Sequence, residues 1–138
     1  MRKAWMFQPH AGGRKIPPVT QEEVRKRIIN HAAATCAGKY TRIDVRFRGA
    51  LCYIDAYTEP YVGKQHPTLS RGESREEYIE RMRNTPTHLC RLRHFGTDRW
   101  SVAFYTCSHE RYEPCIFPSG EWFGTPEEAF DIGAVYLG

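Results

Sequence analysis

The chain has no long apolar run. Nowhere in its 138 residues does a hydrophobic stretch approach the roughly 20 residues that a helix needs to cross a bilayer, so no membrane contact of that kind is expected. Close cysteine pairs are missing too. The five cysteines, Cys36, Cys52, Cys90, Cys107 and Cys115, are odd in number and form no CxxC motif, which argues against a disulfide framework or a redox pair and for reduced thiols. Nucleophile elbows, phosphate-binding loops and dinucleotide fingerprints do not occur. Gly12-Gly13-Arg14-Lys15 lacks the spacing of a phosphate loop and runs into Ile16-Pro17-Pro18, where no helix is expected to open. A secretory signal also lacks its apolar region, because Gln8, Pro9 and His10 interrupt the stretch after the basic pair Arg2-Lys3; a cytoplasmic protein is expected. Charge of either sign is only slightly in excess. A formal net charge of +4 permits a polyanionic partner without requiring one.

What the chain does contain is a pattern written twice. Arg46-Phe47-Arg48-Gly49 leads to Ile54-Asp55-Ala56-Tyr57-Thr58, and Arg91-Leu92-Arg93 with Gly96 leads to Val102-Ala103-Phe104-Tyr105-Thr106. Each copy reads as strand, glycine turn and strand after a capped helix, an internal helix-hairpin repeat. Ahead of it, residues 1–19 hold Pro9, Gly12, Gly13, Pro17 and Pro18 and read as an extended N-terminal arm, docked by Trp5 and Phe7. Residues 20–138 read as a single α+β domain.

The first helix is expected from Gln21 to Ala37, capped by Thr20 with Glu23 in the capping-box position, burying the stripe Val24, Ile28, Ala32 and Cys36. From Tyr40 the period changes to two. With Arg48-Gly49 as the turn, Ile43, Val45 and Phe47 face Ile54, Cys52 and Ala50, and outward pairs include Arg42 with Asp55 and Asp44 with Tyr53. A loop at 59–73 leads to a second helix capped by Ser74 and Glu77, burying Tyr78, Ile79 and Met82. In the second hairpin, Gly96-Thr97-Asp98 sets Leu92 opposite Val102, Cys90 opposite Phe104 and His94 opposite Trp100. A third hairpin turns at Pro118-Ser119-Gly120 and returns through Trp122-Phe123. The last helix opens on Thr125, Pro126 and Glu128 and is apolar almost all round from Ala129 to Leu137, so it should be buried. The architecture is then a twisted antiparallel sheet of about six strands in three hairpins with helices packed on one face, in the order α-ββ-α-ββ-ββ-α.

The stretch Phe47-Arg48-Gly49-Ala50-Leu51-Cys52-Tyr53-Ile54-Asp55-Ala56-Tyr57 and the stretch from Gly124-Thr125-Pro126 to Tyr136-Leu137 resemble those of a family of small uncharacterised bacterial proteins. The resemblance implies a bacterial, single-domain protein and brings no activity or site residue with it.

Candidate chemistry lies on the outward side of the hairpins. Arg42, Arg46, Arg91 and Arg93 fall there with Tyr53, Tyr57 and Tyr105, and Arg48 sits at the turn. Guanidinium groups pair with phosphates while tyrosine rings stack on bases, so we read a non-catalytic binding module for an anionic partner, single-stranded nucleic acid first. The plain alternative is a solvated sheet face stabilised by cross-strand pairs. A second function class is an enzyme on a phosphorylated or nucleic-acid substrate, with Asp44 and Asp55 diagonal across the first hairpin as Mg²⁺ ligands. A third is a regulatory protein-protein interaction through Tyr57, Tyr61 and Tyr105. No cofactor is expected. His88-x-Cys90 and Cys107-x-His109 have the composition of a zinc site, but the register turns the first pair inward and the second outward, so no metal is expected there. Cys115, following Glu110-Arg111-Tyr112-Glu113-Pro114, is the best placed cysteine for a nucleophile, and a core thiol is the preferred reading.

Overall fold

Period-two patterning and short turns build one antiparallel sheet, and the computed structural model describes it through residues 9–60 and 72–138. The elements are α1 (Pro18–Thr35), β1 (Arg42–Arg48), β2 (Leu51–Tyr57), α2 (Arg75–Arg83), β3 (Thr87–Gly96), β4 (Arg99–Thr106), β5 (Arg111–Cys115) and α3 (Pro126–Gly133), followed by a 3₁₀ turn over Ala134–Leu137. The strands lie in the order β1-β2-β3-β4-β5, a meander of five. The fold class is α+β.

The expected sixth strand is reduced to one bridge. After Cys115 the chain turns Phe117 into the core, where it is almost fully buried, and Pro118 supplies no donor to prolong the strand. Gly120 N–H closes the turn on the Phe117 carbonyl at 2.8 Å, and the chain meets β4 again only where Trp100 and Gly124 exchange hydrogen bonds of 3.1 and 3.0 Å.

The second hairpin has the expected register, with Cys90, Leu92 and His94 opposite Phe104, Val102 and Trp100. Phe104 is half-buried rather than core, since it lies toward the β5 end of its strand, away from the central cluster. In the first hairpin Phe47 faces Cys52, Val45 faces Ile54 and Ile43 faces Ala56, which corrects the expected partners. The turn is Gly49-Ala50, not Arg48-Gly49, because the first turn position takes φ +60° and glycine accepts that without steric cost. The correction moves each β2 partner by two residues, so every side chain keeps its face.

The buried face gathers Val45, Cys52, Ile54, Cys90, Leu92, Val102 and Trp100 with Val24, Ile28 and Ala32 of α1 and Ala129 and Phe130 of α3. The helix α1 begins at Pro18, three residues ahead of the expected start, and Thr20 caps nothing; Pro17 occupies the cap position. Proline at the first helical position has its φ preset and loses only an N–H that would be unpaired anyway, so Pro17-Pro18 opens the helix it was expected to block. Polar side-chain pairs join α1 to α3: Arg27 donates to both oxygens of Glu127 at 2.8 and 2.7 Å, and His31 meets Asp131 at 2.7 Å.

Two expectations about helices fail. The capping box of α2 forms as read, yet α2 buries none of its residues fully; Tyr78, Ile79 and Met82 are half-buried. The C-terminal segment is not buried all round, since Val135 is 72% and Tyr136 40% exposed. Its closest approach to the sheet is at Gly133, which lies so near Leu89 that a Cβ would sit 2.6 Å from the Leu89 carbonyl oxygen. In the described part of the arm, Arg14 N–H reaches the His94 carbonyl at 2.8 Å, Ile16 N–H reaches the Gly49 carbonyl at 3.0 Å, and the Ile16 side chain is buried. Trp5, Phe7, Tyr61 and most of the 59–73 loop lie outside the described residues.

Candidate functional site

Strand alternation sends Arg42, Asp44 and Arg46 of β1 to the face opposite α1 and α3, and register carries the row across the sheet. Arg46 pairs with Tyr53, Tyr53 with Arg91, Arg91 with Ala103 and Ala103 with Pro114. The neighbouring row runs from Asp44 to Asp55 and on to His88, with Tyr105 and Tyr112 paired beyond it.

His88 reaches this face through a bulge. Ile54 pairs with Cys90, but Asp55 pairs with His88, so Leu89 is an extra residue in β3. Leu89 and Cys90 are both fully buried, and the parity of the strand changes between Cys90 and His88. The expectation that His88 points inward with Cys90 is thereby corrected. A bulge of this kind re-aims one side chain, and here it sets an imidazole beside a carboxylate.

That carboxylate, Asp55, is only 3% exposed. A buried charge is costly unless paired and hydrogen-bonded. Both of its oxygens are occupied: Arg46 donates to Oδ2 at 3.0 Å, and His88 Nδ1 lies 2.9 Å from Oδ1. Asp44 lies directly opposite Asp55, not diagonal to it, and Arg46 stands between them, with its Nε 4.0 Å from Asp44. The expected pair of Arg42 with Asp55 does not form; Arg42 is stacked over Tyr57 at 4.1 Å from the ring centre, since the register places those two opposite. Among the described residues no three His, Cys, Asp or Glu side chains are grouped as metal ligands.

Rings wall the Asp55–His88 pair. Tyr105 lies 4.7 Å and Tyr112 6.3 Å from the His88 ring, Tyr105 and Tyr112 are 5.1 Å apart, and Tyr53 meets Tyr112 at 5.7 Å. Arg46 lies over Tyr53 at 5.1 Å and Arg91 over Tyr112 at 5.3 Å. Burial, and then the Asp55 charge, push the Tyr112 phenol well up, so its proton is held throughout the neutral range. The other end of the face is drawn under the arm: Arg93 donates to the Gly12 carbonyl at 2.8 Å, and His10 packs edge-on against Trp122. Burial, with Arg91 and Arg93 nearby, lowers the His10 pKa. Ser101 and Ala103 are buried although they alternate outward.

Of the residues expected on this face, Arg46, Tyr53, Arg91 and Tyr105 join one cluster through Tyr112 and His88, and Arg46 is the one bonded to Asp55. Arg42 and Tyr57 form a separate stack at the β1 edge, and Arg93 belongs to the arm contact. Sequence reading missed His88 and Tyr112. The consecutive apolar residues Leu89-Cys90 were the signal of a bulge, and Tyr112 pairing with Tyr105 follows once the β4-β5 turn is placed.

Other candidates are weaker. Burial raises the Cys52, Cys90 and Cys115 thiols, which removes them as thiolate nucleophiles near neutral pH. His109 meets Glu113 at 2.6 Å, and Cys90 lies on the opposite side of the sheet from His88. A cleft of about 260 Å³ between the start of α1 and the β3-β4 turn is lined by Glu23, Arg27, His94 and Asp98, but Arg27 is already paired there with Asp98 at 2.8 Å. No protein-family model, no curated protein and no solved structure matches the chain, so the geometry of this face carries the functional reading.

Proposed function

We propose that the arginine and tyrosine face of the sheet binds single-stranded nucleic acid, in a protein of the cytoplasm. The observation that carries this reading is the interleaving of guanidinium groups and rings: Arg42 over Tyr57, Arg46 over Tyr53 and Arg91 over Tyr112. Guanidinium groups bond phosphate oxygens through their paired N–H donors, and both they and phenol rings offer planes on which bases stack. Stacking on a sheet requires unpaired bases, which favours a single strand over a duplex. Asp55 offsets the charge of Arg46, with which it is paired, and Arg42 and Arg91 carry the rest of the positive charge named on this face. The five free cysteines support a reducing compartment.

Titration of a labelled single-stranded oligonucleotide at several salt concentrations tests the reading. Affinity should fall steeply with salt, and the slope should flatten by about 0.7 for each phosphate that Arg46→Ala or Arg91→Ala leaves unneutralised. Tyr53→Ala should weaken binding by about 1–3 kcal/mol with little change in slope, since stacking releases no counterions. Absence of binding at low salt, or equal binding without the two arginines, refutes it.

A further inference from the structure

Asp55 and His88 meet side chain to side chain at the β2-β3 bulge. The carboxylate fixes the imidazole through Nδ1, which leaves Nε2 with no hydrogen-bond partner among the described residues, and the His88 side chain is 34% exposed. An imidazole held at one nitrogen by a buried carboxylate has its tautomer set and its other nitrogen available as a base. The arginines that would hold a phosphate, Arg46 and Arg91, flank Tyr53 one row away, roughly 7 Å along the strands. Tyr112 borders both Arg91 and His88 and keeps its proton.

We propose, resting on the nucleic-acid reading, that this face cleaves single-stranded RNA by transesterification. His88 Nε2 takes the proton of a ribose 2′-hydroxyl, whose oxygen forms a bond to the adjacent phosphorus as the bond to the 5′-oxygen of the next nucleotide breaks. The departing oxygen keeps the bonding electrons and takes the Tyr112 phenolic proton, because an alkoxide is a stronger base than a phenolate. The imidazolium then returns its proton through solvent to Tyr112. Products are a 2′,3′-cyclic phosphate and a 5′-hydroxyl, with no water, metal or redox partner consumed. Arg46 and Arg91 stabilise the charge that develops on the phosphoryl oxygens. Asp55 is a positioning residue in this scheme.

The test uses the full chain and three oligomers of one sequence: RNA, its 2′-O-methyl form, and DNA. The expected result is binding of all three with cleavage of RNA alone, giving 2′,3′-cyclic phosphate ends and persisting in EDTA. His88→Gly should lower the rate about 100-fold or more, and added imidazole should restore part of it. Asp55→Asn should lower kcat about tenfold or more without raising KM, since it disturbs the orientation of His88 and leaves Arg46 on the face. Circular dichroism of both variants separates these losses from unfolding. Binding of the 2′-O-methyl oligomer without cleavage of RNA overturns the catalytic inference and leaves the binding reading standing. Failure to bind any oligomer overturns both. Cleavage that survives His88→Gly, or that needs Mg²⁺ and is lost in Asp44→Asn, also overturns it.

Discussion

The helices α1 and α2 precede similar hairpins and begin in opposite ways. A full capping box between Ser74 and Glu77 opens α2, while α1 has no side-chain cap, yet α1 buries Val24, Ile28 and Ala32 and α2 buries nothing completely. A cap contributes about 1 kcal/mol, whereas burying one isoleucine contributes about 1.5–3 kcal/mol. A continuous apolar stripe therefore decides which helix joins the core. The hairpins themselves remain alike. Arg46 and Arg91 both pair with Tyr53, and Arg48 and Arg93 both pair with Leu51, so the repeated motif lands as adjacent rows on one face.

This contrast can be broken by truncation. Ile28→Ala should cost about 2–5 kcal/mol in denaturant unfolding, and Ile79→Ala in α2 less than about 1 kcal/mol; equal losses would show that α2 also belongs to the core. Gly133→Ala should destabilise by about 1–3 kcal/mol. The new methyl would meet Leu89 backbone at 2.6 Å, and that overpacking outweighs the gain of at most about 1 kcal/mol in helix propensity. Thr125→Ala removes a formed capping box and should cost about 1 kcal/mol, while Thr20→Ala should change stability by no more than about 0.5 kcal/mol. A further small effect concerns the α1-α3 pair. The Arg27 hydrogen bonds hold the Glu127 pKa below its ordinary value. Its contribution is thus present above the unfolded pKa of about 4.3 and is lost as pH falls through the lower folded value. Arg27→Ala should cost under about 1 kcal/mol at pH 7 because the pair is partly exposed, and the difference from wild type should close in acid.

The faces of the sheet were legible because apolar and polar residues alternate, and the β3-β4 register followed from Gly96 and the opposed apolar residues. The β1-β2 partners were not fixed in the same way. A shift of two residues along β2 leaves every side chain on its own face, so hydrophobic matching does not detect it; only the turn geometry at Gly49 does. The third hairpin misled because Trp122-Phe123 has strand-like residues, while burial of Phe117 takes the chain out of line. At the site, Arg46, Tyr53, Arg91 and Tyr105 were legible from alternation alone. His88 was not, because one inserted residue inverts the parity that alternation relies on.

The meander has a consequence for assembly. Among the described residues its outer strands, β1 and β5, each present a row of backbone groups that another chain could extend. On β5 that row is interrupted by Pro114, which supplies no donor, and β1 carries Arg42, Asp44, Arg46 and Arg48 at alternate positions. A templating strand would meet a gap at one margin and a crowd of solvated charges at the other. Sheet growth is discouraged at both rims.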